Sequence, residues 1–338
     1  MAFYVLLFIA FVPHSFVGAQ SSLTRAKAIP VDTSFMLKIN GVEQYIEIKG
    51  ISRTNPVLLF IHGGPAWPAT PMIRKYNQEL TKDFVLVSWD QRNCGKSETD
   101  KSVKLTTELY VEDAHQVTEF LMKEFNKRKI YVAGHSWGST ISILLITQYP
   151  EDYNAYFGMG QFVNPNKSNN IVKEFVIQQA EIKKDTATMA KMKLFDFSPA
   201  NDYNMPFEKL MEFFQTVNPY IKSDEVAVLE DPTQLYDDYK AIDWFGPLMQ
   251  TGPELIQYMN SIKIDLFQYN KFEVPVYFLL GRHDYNTPSV LAEQYFDTIK
   301  APKKKLFWFE KSGHSPHWEE PSLFYQRVLQ IAADNKLK

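Results

Sequence analysis

The sequence predicts an α/β protein with a mostly parallel, eight-stranded sheet, helices on both faces and a helical lid insertion. Three observations carry that prediction. Short, continuous apolar runs recur along the chain, helix-length segments separate them, and the alternation lapses between residues 161 and 262. An unbroken apolar run suits a strand buried on both faces. Parallel neighbours need a long connection across the sheet, and the intervening helices supply it.

The elements follow in chain order. Residues 3–12 are apolar throughout, and no charged side chain precedes Arg25. The run falls short of the ~20 residues that cross a bilayer. Val17-Gly18-Ala19 then suits signal-peptidase cleavage, so residues 1–19 read as an export signal, leaving a periplasmic or secreted protein without a membrane anchor. In 35–48, two strand-like runs flank Asn40-Gly41, a hairpin signal because both turn residues tolerate positive φ. Buried strands are predicted at 57–61, 84–89, 130–133, 155–159, 274–280 and 306–309, and helices at 106–125, 139–149, 289–299 and 322–333. The core therefore comprises 20–160 and 263–338. Segment 161–262 has Met and Phe at helical spacing, as in 207–214 and 254–264. It carries 15 acidic residues against 9 lysines and no arginine, and reads as a helical lid over the sheet.

Composition narrows the chemistry. With 338 residues, 45% hydrophobic and 22% charged, the chain can bury a large core. A net charge of −3 provides no basic field for nucleic acid. The single cysteine, Cys94, excludes an intrachain disulfide and a thiolate-rich metal site. Oxygen and imidazole groups remain, and no cofactor is implied.

Gly134-His135-Ser136-Trp137-Gly138 follows one predicted strand and enters an apolar helix. This is G-x-S-x-G in the strand–turn–helix context that presents a serine nucleophile. A serine hydroxyl needs a base, and the base needs a carboxylate to orient it. In this arrangement the acid and then the histidine follow the serine in the chain. Asp284 lies in the loop that follows the strand at 274–280, and His314 follows the strand at 306–309. Both belong to the carboxyl edge from which Ser136 emerges. His317 is an alternative base, or a metal partner for His314, though no third ligand cluster accompanies the pair. His283 reads as a loop histidine, His115 as a surface residue, and His135 as pointing away from the reacting atoms. His62-Gly63-Gly64-Pro65 follows the strand at 57–61, and its Gly64 N–H can pair with that of Trp137 as an oxyanion hole. Cys94 is expected to line or support the mouth of the site.

Over residues 35–335 the chain resembles the α/β-hydrolase superfamily, and within it serine peptidases of the proline iminopeptidase (prolyl aminopeptidase) type. The likeness rests on His62-Gly63-Gly64-Pro65, Trp89-Asp90-Gln91-Arg92, Cys94-Gly95-Lys96-Ser97, Gly134-His135-Ser136-Trp137-Gly138-Ser139, Gly281 to Asp284, and Gly313-His314 with Glu319 and Pro321. Ala66 and Asn93 stand where that family usually has glycine. The resemblance implies release of an N-terminal residue, with lid carboxylates holding the substrate's free amino group. Glu208 and Glu212 are candidates for that role, beside the reading that they lie on solvated helix faces. The expected substrate is a small peptide, amide or ester. Alternatives are a carboxylesterase or lactonase, and, in another class, a non-catalytic binding protein of the same fold.

Overall fold

Asn40 and Gly41 take φ of 46° and 85°, and their turn joins β1 (Val31–Ile39) to β2 (Val42–Gly50) in an antiparallel hairpin. The structure, a computed structural model, describes residues 29–100, 102–198, 205–222 and 224–335, so the expected export signal at 1–19 lies outside the described residues. After the hairpin come β3 (Val57–Ile61), α1 (Thr70–Tyr76), β4 (Val85–Trp89), α2 (Thr107–Glu124), β5 (Ile130–His135), α3 (Trp137–Gln148) and β6 (Tyr153–Met159). Beyond a long, mostly helical segment lie β7 (Val276–Gly281) and β8 (Lys304–Phe309). The eight strands run in the spatial order β1-β2-β4-β3-β5-β6-β7-β8. Only the β1–β2 and β2–β4 pairs are antiparallel.

The apolar runs feed two layers at once because successive side chains point to opposite faces. Val57, Leu59 and Ile61 of β3 join one core with Val117 of α2 and Ile141 of α3, whereas Leu58 and Phe60 join the opposite one. Caps place the helix starts. The Thr106 side chain accepts the Leu109 N–H at 3.1 Å and opens α2 where the sequence predicts it. The helix predicted from residue 139 begins two residues earlier, at Trp137, directly after the serine turn.

Between β6 and β7 the described residues contain α4 (Pro165–Ile182), α5 (Thr186–Met192), α6 (Phe207–Ile221), α7 (Asp237–Lys240) and α8 (Phe245–Ser261). Helix α6 runs seven residues past the predicted 207–214 stretch and carries Pro219 inside it. Val172, Val176, Met192, Phe213 and Val217 give α4–α6 an apolar cluster of their own. The stretch around α7 is instead anchored to the sheet by polar contacts. Asp238 pairs with Arg74, which also grips Glu47, and the Tyr239 hydroxyl donates to buried Asp90 at 2.7 Å. Burial pushes the Asp90 carboxyl up to about 6, against the hydrogen bonds it accepts from Lys96 N–H, Tyr239 and Thr70. After β7 follow α9 (Ser289–Thr298), and after β8 come α10 (Pro316–Glu319) and α11 (Pro321–Asp334).

One buried ion pair secures the loop after β4. Arg92 and Asp113, 1% and 0% exposed, meet through two hydrogen bonds of 2.5 and 2.8 Å. Gln44 and Asn40 donate to the same carboxylate at 3.0 and 2.6 Å, tying hairpin, loop and α2 together. Removing one partner strands a buried charge. Arg92→Met is expected to lower unfolding free energy by about 3–5 kcal/mol, read as a reduced urea midpoint at unchanged slope; a loss within error would show that the pair contributes nothing.

Candidate active site

The site forms where β3, β5, β7 and β8 end. Ser136 leaves β5 with φ 54° and ψ −121°, a conformation costly for a side-chain-bearing residue, and stands at the N-cap of α3. The tight turn requires its glycines. A Cβ on Gly138 would overlap the Ile61 carbonyl, and one on Gly134 would overlap Ser142 Oγ. Trp137 is the first residue of α3, so its backbone N–H has no acceptor within the helix. The α3 N-terminus places positive partial charge beside Ser136.

Asp284 follows β7 and is buried. Its Oδ1 accepts the N–H groups of Asn286 and Thr287 at 2.9 and 3.0 Å, and its Oδ2 accepts the Thr287 hydroxyl at 2.9 Å. The same Oδ2 lies 3.0 Å from His314 Nδ1. Burial lowers the His314 pKa, but the Asp284 charge and hydrogen bond outweigh it, with Glu319 adding, and the net shift is upward. Ser136, His314, Gly64 and Trp137 all line one cavity of about 330 Å³. The structure thus pairs two of the sequence-selected residues directly and brings the other three to the same cavity.

Supporting groups surround these residues. Gln91 ties the two glycine-rich loops together. Its N–H donates to His62 Nε2 at 3.1 Å, its amide donates to His62 O at 2.9 Å, and its carbonyl accepts the Trp137 indole N–H at 3.2 Å. His62 Nδ1 lies 2.7 Å from Gly63 O, and burial pulls the His62 pKa down to about 4. Cys94 is buried with Sγ 3.5 Å from His62 Nε2 and does not line the cavity; it supports the His62 loop from behind. Ala66 and Asn93 have φ of 58° and 56°, which is the physical reason glycine suits both positions.

The remaining histidines divide by environment. His135 is buried with Nε2 3.1 Å from His314 O and 3.3 Å from Ser315 Oγ, bracing the backbone at His314. Burial and the adjacent His317 and His314 hold its pKa well below the usual value. His317 packs against Phe60, Trp318 and Phe324, and neither ring nitrogen has a hydrogen-bond partner among the described residues. Its ring does not line the cavity. His115 is half-buried rather than on the surface, stacked on Tyr149 and 3.1 Å from Asp152. His283 lies 3.0 Å from Glu225, as a loop histidine.

Two roles at the site escaped sequence reasoning, the first that of Glu319, which the sequence shows only as a motif residue. Glu319 accepts the N–H groups of Gly313 and Ser315, at 2.6 and 3.3 Å, on either side of His314. Burial pushes its carboxyl up to about 7, against those hydrogen bonds and the His314 charge. The second is Asp196, the one carboxylate among the cavity's described lining residues, which include no lysine or arginine. Glu208 borders a different depression and Glu212 pairs with Lys191 at 3.3 Å; both are exposed, as the reading of solvated helix faces has it, and neither lines this cavity. Asp196 sits in an irregular stretch after α5, where no periodicity marks it.

Residues 74–321 match the family described as Hydrolase_4: Serine aminopeptidase, S33. The probable aminopeptidase YbaC of Bacillus subtilis is 30% identical over 318 residues, covering 88% of this chain and 95% of that protein. A proline iminopeptidase of Heyndrickxia coagulans is 25% identical over 273 residues, 79% of this chain and 86% of its own. The crystal structure of a proline iminopeptidase from Mycobacterium smegmatis superposes with a TM-score of 0.63 at 16% identity, over 90% of this chain and 98% of that one. A strand-end serine turn, an Asp–His pair on the same sheet edge and a family match across most of the chain have one reading: this chain belongs to the serine aminopeptidase S33 family, as an enzyme with the α/β-hydrolase fold.

Proposed function

We propose that this enzyme releases the N-terminal residue of short peptides by serine acyl transfer, with Ser136 as nucleophile, His314 as base and Asp284 orienting it. The observation that carries this is the Asp284–His314 pair opening onto the cavity that holds the strained Ser136 turn. Ser136 Oγ attacks the substrate carbonyl carbon as its proton passes to His314 Nε2. The Gly64 and Trp137 N–H groups take up the oxyanion, a contribution of about 3 kcal/mol for each such donor. The tetrahedral intermediate breaks its C–N bond, and His314 returns the proton to the departing amine. Water then attacks the acyl-serine, giving its proton to His314, and the released acid leaves Ser136 reprotonated.

The acyl residue lies in the 330 Å³ cavity, beneath the lid formed by α4, α6 and α8. Phe162, Phe197, Phe214, Ile256 and Met259 give it apolar walls suited to a proline ring, and Asp196 pairs with the ammonium of the free N-terminus. The relatives named as proline iminopeptidases support that substrate. The apolar walls also favour a second reading, hydrolysis of small lipophilic esters, which need no carboxylate partner.

Labelling, substitution and pH dependence test this. A fluorophosphonate should label Ser136, and Ser136→Ala should lose ~10⁶-fold in kcat; labelling elsewhere, or activity in the variant, refutes the mechanism. Asp196→Asn should raise KM at least tenfold for prolyl amides and leave N-acylated esters unchanged. Equal effects on both substrates would favour the ester reading. The base must be neutral to act, so the acid limb of kcat/KM should lie above pH 6.5, where the Asp284 charge holds His314.

A further inference from the structure

A second cavity, of about 390 Å³, borders His314 without bordering Ser136, Gly64 or Trp137. It shares Asn286 and His314 with the first cavity, so the two adjoin at the histidine. Its walls come from the end of α6, the 226–229 segment, the loop after β7 and the loop before α10.

The polar groups of this second space are largely committed already. Asp284 is held by His314 and Thr287, and Glu319 by the Gly313 and Ser315 N–H groups. His283 pairs with Glu225 and lies 3.1 Å from Glu310 O. Much of what remains is apolar: Ile221, Val226, Val228 and Leu229. The Val226 methyls lie 3.4 and 3.6 Å from the point a Cβ on Gly313 would occupy, which sets this wall against the residue preceding His314. Val228 is 98% exposed, an uncovered apolar side chain at the same place. Lys222, exposed and without an ion pair among the described residues, supplies a positive charge.

Acyl transfer explains why a base should stand between two spaces. The acyl part stays on Ser136 beside the oxyanion donors, in the first cavity. The departing amine must receive its proton from His314, so it leaves on the side of the imidazole. We propose that the second cavity holds the leaving group, and that it selects peptides whose residue after the scissile bond is apolar while disfavouring a basic one. The reasons are the aliphatic wall around Val226 and the Lys222 charge. This rests on the serine acyl-transfer reading and adds the specificity of its departing half.

The test holds the acyl residue constant and changes only what leaves. Wild-type enzyme is assayed on Pro-Leu-NH₂, Pro-Lys-NH₂ and prolinamide, with fluorophosphonate labelling of Ser136 as a measure of the intact nucleophile. An apolar pocket of this kind distinguishes side chains by roughly tenfold or more, so kcat/KM should fall in the order given. Val226→Trp, which fills the groove, should remove the leucine advantage over prolinamide. It should leave Ser136 labelling and the deacylation rate unchanged, since the acyl-enzyme is common to all three substrates. Val226→Asp, a second variant at this half-buried position, should turn the preference toward Pro-Lys-NH₂. Normal labelling with substitutions that affect all three substrates alike, or none, overturns the leaving-group assignment alone. Absence of labelling at Ser136 overturns the acyl-transfer reading, and absence of turnover on every amide overturns the peptidase reading; either takes this proposal with it.

Discussion

Everything at the site depends on how closely two strand ends approach each other. The turn after β5 packs against the loop after β3 so tightly that Gly138 has no room for a side chain beside the Ile61 carbonyl. That approach has two consequences. It sets Ser136 at positive φ at the start of α3, and it brings Gly64 and Trp137 to one cavity. Gln91 then bonds to both sides, at His62 and at the Trp137 indole, so the gap is fixed by hydrogen bonds and not by apolar packing alone. A polar cross-tie of this kind is directional and holds one arrangement, where apolar contact tolerates several.

Around that centre the buried polar groups hold pieces of chain distant in sequence. Arg92 and Asp113 join the loop after β4 to α2 and the hairpin. Asp90 and Tyr239 join the same loop to the insertion. Glu319 and His135 secure the backbone on both sides of His314. These contacts give up solvation, and Asp90 and Glu319 show the cost in carboxyls shifted up to about 6 and 7. In exchange each tether places a loop, and the loops carry the residues that border the cavity.

Much of the fold was legible because its signals are local. The runs at 57–61, 84–89 and 130–133 fall within a residue or two of β3, β4 and β5, since a strand buried on both faces must be apolar throughout. Asn40-Gly41 marked the hairpin because few other residue pairs take positive φ at both positions. The stretch between β6 and β7 was legible as helical but not in its details. Helix α6 continues through Pro219, and the amphipathic spacing at 207–214 says nothing about where packing against α4 ends. Glu208 and Glu212 looked available because a sequence shows charge without direction; in the fold one faces another depression and the other meets Lys191.

The sequence by itself determined the strand order of events: which residue types stand at which strand ends, and that Ser136, Asp284 and His314 belong to one sheet edge. It could do so because parallel strands share a direction, and the end of each strand is written in its own few residues. Tertiary structure alone decided which side chains close around them. Asp196 reaches the cavity from an irregular stretch, Glu319 brackets His314 from a four-residue helix, and Val226 stands against Gly313 from a segment with no periodicity. Those placements arise from contacts between parts of the chain far apart in sequence, and no local pattern encodes them.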